Sequence, residues 1–270
     1  MKTSNSLSDS LKSVFAAVII PIELIIAILF YIYVLGDGSH FQGGDNLGHP
    51  VQGDYFGIVY KGGPIVPVLM SMLMIVITFG IERYITITRA KGKGSVQKFV
   101  QKIVHLLPTN NIAQAIAECD KQKGSVANVV RAGLVKYNEL QNNHTIEPDK
   151  KVLLVQKDIE ETTQLEMPML ERNLVILATI VSIATLLGLL GTVMGMIKAF
   201  AALATAGAPD SVGLANGISE ALINTALGIG TSAIAIVLYN YFTSAIDSLT
   251  HAIDETSFSI IQNFTAGSKK

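Results

Sequence analysis

The 270-residue sequence has no tryptophan and one cysteine, Cys119. A lone cysteine excludes a disulfide framework and a cysteine-spaced metal cluster. Without tryptophan, any aromatic belt at a membrane surface must come from tyrosine and phenylalanine. Charge is also scarce: Asp, Glu, Lys and Arg make up 15% of the chain, where soluble domains carry about 25%. Neither sign dominates, with 20 basic residues against 21 acidic ones and a formal charge of −1, so nucleic acid is not the expected partner. What remains is apolar: half the residues are hydrophobic and the mean hydropathy is +0.46. An ordinary soluble enzyme, a disordered tail and a small secreted module are all excluded.

Four stretches are long enough to cross a bilayer, whose ~30 Å core takes about 20 apolar residues at ~1.5 Å each. They run from Val14 to Val34, from Gly63 to Ile81, from Leu174 to Ile197 and from Leu214 to Phe242. The first contains Pro21 and Glu23, the third has no charge before Lys198, and the fourth carries only Glu220. The first is read as a retained helix, because it is long for a signal peptide, holds Glu23 and lacks a clear small-x-small cleavage site. An unpaired carboxylate in mid-span costs a few kcal/mol. Glu23 must therefore face protein, be neutralised, or lie in a shallower helix.

Fourteen basic residues fall between Glu82 and Asn173, with Arg83, Arg89, Lys91 and Lys93 just past the second span. The 36–62 loop has only Lys61 and the 204–213 loop has none. By the positive-inside rule, 82–173 is cytoplasmic. The expected layout is a cytoplasmic N-terminus (1–13), a span (14–34), a periplasmic loop (35–62) and a second span (63–81). A cytoplasmic helical domain (82–173), a third span (174–198), a periplasmic loop (199–213), a fourth span (214–242) and a cytoplasmic C-terminal helix and tail (243–270) complete it. The fold class is an all-α integral membrane protein, with four transmembrane helices and long helices extending into a cytoplasmic bundle. Both termini are expected in the cytoplasm.

Helical stripes support the bundle. Val96, Phe99, Val100, Ile103 and Leu107 share one face, as do Val126, Val129, Val130, Leu134 and Tyr137. Breaks are expected at Pro108, Gly124 and 142–148. From Pro148, near N1, a helix is expected that need not stop before the third span, with a kink at Pro168 near the membrane surface. A further stripe (Ile246, Leu249, Ile253, Ile260, Phe264) prolongs the fourth helix. Each stripe is read as core packing.

Polar residues inside the last two spans carry the functional signal. Ser182, Thr185 and Thr192 lie near one face of the third span, beside Gly188, Gly191 and Gly195. The glycines read as close-packing surfaces. In the fourth span Glu220, Asn224 and Thr231 share a face, and Thr225 and Ser232 mark a neighbouring one. An acidic residue in a span is a candidate functional site. The alternative for Glu220 is an interhelical structural bond, and for the threonines a bond to their own i−4 carbonyl. Lys198 is read as reaching to the interface and is assigned no function.

The strings LLGLLGTVMGMIKAF (186–200) and GISEALINTALGIGTSAIAIVLYNYF (217–242) resemble the ExbB/TolQ/MotA family of ion-driven motor subunits. GGPIVPVLMSMLMIVITFGIERY (62–84) is similar to that family's first span. The resemblance covers roughly 62–255 and leans toward the ExbB branch, the biopolymer transport proteins. It implies a homopentamer in the bacterial inner membrane around two copies of a single-span ExbD-like partner, whose Asp takes up and releases H⁺ or Na⁺. It implies pathway roles for Thr192, Thr225 and Glu220, with Thr185, Ser182, Asn224 and Ser232 as further lining candidates. It also implies force passed outward through a TonB-like protein to outer-membrane transporters. No cofactor or metal is implied. Thr185 and Ile234 stand where the family usually has proline, and the 14–34 helix is additional to the family's three spans.

Hydroxyls lining a dry passage can hydrogen-bond a carboxylate without fixed charge. A neutralised acid can then move past them, whereas a bare carboxylate in lipid cannot. Each charge crossing the membrane yields ~2.3 kcal/mol per 100 mV. Catalysis is not expected: all five histidines lie outside the spans, no span pairs aspartates, and no GxxxxGK[ST] is present. A secondary transporter would show more spans and inverted repeats. A TolQ-like envelope-maintenance subunit, a MotA-like or gliding-type motility subunit and a purely structural scaffold are the remaining readings.

Overall fold

The structure is a computed structural model and describes residues 4–46, 48–109, 111–141, 145–204 and 210–268. It is 86% helical with no strands among the described residues, and four of its helices are long and apolar enough to cross a membrane. Two compact units emerge, one from 1–81 with 175–239 and the other from 82–174 with 240–270.

In the first unit, α1 (Ser4–Phe30) ends in a π-helical turn over Tyr31–Leu35, closed by Gly36. The described residues of the loop after it form short turns and a short helix. Asp37 caps a 3-10 turn at Gly38–His40, and Asp54 caps α2 (Tyr55–Tyr60) by accepting from the Phe56 and Gly57 amides. Short polar side chains satisfy the orphan N–H groups of a helix start, which is why the two aspartates nucleate these turns. Phe41 pairs with Pro50 in an isolated bridge, and Gly43, Gly44 and Gly53 supply the positive φ angles the reversals need. Tyr31 stacks on Tyr60 at 4.6 Å between centroids and donates its hydroxyl to the Tyr60 carbonyl at 3.0 Å.

The second span begins with a 3-10 turn at Gly63–Ile65, where Pro64 holds an early helical position, and continues as α3 (Val66–Lys91). Its buried side includes Val66, Leu69, Val76 and Phe79. Glu23 of α1 faces this helix, 6% exposed, and accepts from the Thr78 hydroxyl at 2.5 Å. The first of the three alternatives for Glu23 thus describes its position.

In the second unit, Ser95 caps α4 (Val96–Leu106), Asn111 caps α5 (Ile112–Gln122), and α6 (Gly124–Gln141) follows a turn at Lys123 and Gly124, both with positive φ. Phe99, Val100, Ile103 and Leu107 are buried, as are Val126, Val129, Val130, Leu134 and Tyr137. Burying a large apolar side chain contributes about 1.5–3 kcal/mol, so these stripes are what hold the short helices together. Residues 142–144 of the expected polar break lie outside the described residues, and α7 (Pro148–Glu171) starts after it with Pro148 in its first turn.

The helix that was free to run on into the third span stops short of it. α7 ends at Glu171, and α8 (Leu174–Leu203) begins after Arg172 and Asn173. Asn173 has φ 65°, a left-handed conformation that asparagine tolerates and that terminates helices. Pro168 stays inside α7 rather than marking the break. The carbonyls released at Met169 and Leu170 accept from Arg83 Nη1 at 3.3 and 3.0 Å, and Arg83 is also paired with Glu82. A 2% exposed guanidinium therefore serves as the cap that the backbone lacks.

The last helix, α9 (Ser211–Ser268), supplies residues to both units. The centre of the 204–213 connection, residues 205–209, lies outside the described residues. In the second unit Ile246, Leu249, Ile253, Ile260 and Phe264 are buried. The Tyr137 ring meets Phe264 at 4.6 Å, and its hydroxyl bonds Asn263 Oδ1 at 3.1 Å. Gly133 lies where a Cβ would come within 2.6 Å of Ile159.

Candidate functional site

α8 and α9 pack through small residues. A Cβ on Gly195 would lie 2.6 Å from the Ala221 nitrogen and the Gly217 oxygen. One on Gly228 would lie 2.5 Å from the Ala184 oxygen. On Gly191 it would fall inside the Asn224 side chain. Ser232 of α9 reaches further back along α8, donating to the Val181 carbonyl at 2.7 Å. As the residue number of the contact falls along α8, that of its partner rises along α9, so the two helices run antiparallel with their backbones close. The glycines do what close packing in lipid requires.

At the middle of this seam the hydroxyls of Thr192 and Thr225 hydrogen-bond each other. Thr192 also donates toward the Gly188 carbonyl at 3.3 Å, and Thr225 toward the Ala221 carbonyl at 3.1 Å. Each hydroxyl is within reach of its own i−4 carbonyl and of the other hydroxyl, and with one proton apiece the two fill two of these three bonds at a time. Both side chains are half-buried.

One to two turns toward the α8–α9 connection sits a charged pair. Lys198 Nζ lies 2.6 Å from Glu220 Oε1 and 2.9 Å from Oε2. Glu220 is 7% exposed, whereas half of the Lys198 side chain is accessible. Gly63 lies directly against this carboxylate, and a Cβ there would meet Oε1 at 2.6 Å. One helical turn on, the fully buried Asn224 donates to the Gly62 carbonyl at 2.7 Å. Glu220 and Asn224 therefore fix the turn that starts the second span.

The remaining candidates separate. Asn224 and Thr231 are buried within the chain, and Ser232 is half-buried against α8. Ser182 and Thr185 are exposed, with Thr185 bonded to the Val181 carbonyl of its own helix. Ile234, at a position where the family usually has proline, is exposed within an unbroken α9. The sequence reading missed Lys198 as a partner of Glu220, and Thr78 as the partner of Glu23. The only signal for the first was a lysine at the end of an otherwise charge-free run. Among the described residues no group of three or more His, Cys, Asp or Glu is placed to hold a metal.

Helices of this length, with polar side chains gathered between two apolar spans, define a helical membrane protein. Residues 122–255 match the MotA/TolQ/ExbB proton channel family, and through this domain, about half the chain, the protein belongs to that family. Lys198, Thr192, Glu220 and Thr225 all lie within the match. The Tol-Pal system protein TolQ of Pseudomonas aeruginosa is 33% identical over 136 residues, covering 50% of this chain and 58% of that protein. The ExbB-like 3 biopolymer transport protein of Synechocystis sp. is 36% identical over 88 residues, 32% of this chain and 42% of the relative. The biopolymer transport protein ExbB of Pseudomonas putida is 36% identical over 86 residues, 32% of this chain and 26% of the relative. The chain thus spans less than two thirds of the length of these relatives.

Proposed function

We propose that this chain is the stator subunit of an ion-driven motor in the bacterial inner membrane. It assembles as a homopentamer around two copies of an ExbD-like single-span partner. Together they convert ion motive force, carried by H⁺ or Na⁺, into mechanical work that a TonB-like protein delivers to outer-membrane transport. The observation that carries this reading is the Thr192–Thr225 hydroxyl pair at the centre of the α8–α9 seam, inside the segment that matches a proton channel family. Both termini and the 82–173 region are assigned to the cytoplasm on the distribution of basic residues.

The chain's own groups do the following. Each threonine hydroxyl has one proton to donate and two lone pairs. Exchanging an i−4 carbonyl for a carboxyl group on the partner forfeits one hydrogen bond, worth about 1 kcal/mol net. That is less than the ~2.3 kcal/mol released per charge per 100 mV, so the hydroxyls can be lent and recovered within one step. Glu220 adds a carboxylate one to two turns along the same seam. Ser182 and Thr185, exposed on α8, are available to line a passage between copies.

The test is substitution of the hydroxyls at unchanged volume. Thr192→Val and Thr225→Val should each abolish energy-dependent uptake across the outer membrane while the protein accumulates normally. Full activity in both variants would remove the hydroxyls from the mechanism. A reporter fused after Lys270 should read as cytoplasmic, and the chain purified in mild detergent should bring down a single-span protein.

A second reading is supported by the match to TolQ, which extends over half of this chain. Under it the same motor maintains the envelope, and loss of the chain sensitises cells to detergent with no loss of nutrient uptake.

A further inference from the structure

We infer that Lys198 is a tethered cation that occupies Glu220 and keeps transported ions off it until the motor engages. The inference rests on the ion-pathway reading above and names a regulation of that same site. A carboxylate buried between two spans is a strong attractor for any cation that can reach it, because an unpaired charge there is costly. In this chain both Glu220 oxygens are already held by one ammonium, at 2.6 and 2.9 Å.

The two members of the pair differ in freedom. Glu220 is held in place: it is buried, it belongs to a face whose next member, Asn224, is bonded to Gly62, and its carboxylate fills the space that Gly63, lacking a Cβ, leaves open. Lys198 is half-exposed and carries its charge on a flexible four-carbon stem. An ammonium on such a stem can swing away and return, so the pair behaves as a bound plug with its own leash. It sits about two turns from the threonine pair on α8, six residues along, and a similar distance away on α9. Its side of the threonines is the α8–α9 connection, one end of any passage along the seam. A fixed acid alone would hold an arriving ion. An acid with a tethered competitor releases it, because the ammonium can retake the seat. Lys198 is on this argument a positioning residue for ion passage, acting through Glu220.

The test uses the full-length chain in inverted membrane vesicles prepared from cells that express it, with protein levels matched. The rate at which a preformed proton gradient collapses is read for each variant. Lys198→Met should leak several-fold faster than the parent, because Glu220 is left open to protons. Lys198→Arg should restore the parent rate, since a guanidinium carries the same charge. Lys198→Met combined with Glu220→Gln should also fall back to the parent rate, which a merely structural role for the lysine would not produce. Should Lys198→Met not accumulate, Lys198→Gln offers the same comparison. An unchanged rate in the neutral variant, or a double variant as leaky as the single one, overturns the proposal. Adding Thr192→Val to Lys198→Met separates the two layers. If the leak persists through Thr192→Val yet vanishes with Glu220→Gln, the plug stands and the threonine pathway fails. If Thr192→Val abolishes uptake but the neutral lysine variants leak no faster than the parent, the pathway stands and the plug fails.

Discussion

Two glutamates are buried in the span-bearing unit, and the protein treats them differently. Glu220 lies in the glycine-rich seam of α8 and α9, with an ammonium on both oxygens and a glycine turn against it. Glu23 lies between α1 and α3, meets one threonine hydroxyl, and leaves its other oxygen buried without a hydrogen-bond partner. The residue type and the degree of burial are the same, 7% against 6% exposed. The neighbours differ, because small residues let α8 and α9 approach closely enough for Lys198 to reach across. α1 and α3 meet instead through large side chains such as Phe15 and Phe79, whose rings are 5.9 Å apart. The burial of a charge therefore does not reveal its role; the partners the packing brings do.

Five substitutions and one labelling reaction test this contrast, from the largest expected effect to the smallest. Gly195→Val drives a side chain into the backbone of α9 and should cost about 3 kcal/mol or more, since overpacking at backbone contact leaves no rotamer escape. Loss of folded protein on heating in detergent is the readout. If it is stable, the seam is not what brings Lys198 to Glu220. Arg83→Met removes a buried cation from Glu82 and from the two carbonyls that end α7, and should cost about 3 kcal/mol in thermal unfolding. It asks whether a buried charge in the other unit is as dependent on its partners as Glu220 is.

The contrast itself is measured by amides. Glu220→Gln should lower stability by about 1 kcal/mol, a modest figure because Lys198 is half-exposed and its attraction is screened. Glu23→Gln should be neutral or stabilising, since it keeps the acceptor that Thr78 uses and substitutes an uncharged group of equal size. Equal losses in the two variants would erase the distinction.

Asp54 provides a partly exposed counterpart outside the spans. Its carboxyl is held below the ordinary range, chiefly by the hydrogen bond from His40, with the Phe56 and Gly57 amides adding to it. A carboxylate lowered in the folded state stabilises above its unfolded pKa, near 4, and loses that contribution as pH falls through the lower folded value. The protection of the Tyr55–Tyr60 amides, their exchange rate relative to the intrinsic rate at each pH, should therefore be steady from about pH 5 upward and fall only under more acidic conditions. Asp54→Asn should be weakly protected throughout and without that acid limb. The smallest effect is at Cys119, whose thiol burial pushes up to about 12. It should resist maleimide at neutral pH in the folded protein and react only on unfolding.

Much of the architecture could be read directly from residue order. Runs of apolar residues located all four long helices, and stripes such as Val126–Val130–Leu134 located the faces that bury. The break at Asn173 was not legible, because one asparagine entering the left-handed region leaves no periodic trace, and proline at 168 drew attention to the wrong place. The ordered segment between Gly36 and Gly62 was legible only in retrospect, through Asp37 and Asp54 at capping positions and glycines at the reversals. Thr192 and Thr225 stood out because hydroxyls are sparse in those spans. Their mutual contact depends on antiparallel register, which spacing within one helix does not encode.

The sequence by itself determined that this chain is helical, that its long apolar helices suit a bilayer, and that its few polar residues there cluster in the last two of them. Those are consequences of composition and period, which every residue carries wherever the chain goes. Only the tertiary structure decided that Lys198 meets Glu220, that Thr192 meets Thr225 and that Glu23 meets Thr78. Each of these pairs joins two helices, and the choice of partner is made by how closely two backbones approach and in what register, a property of the packed helices that no single segment holds.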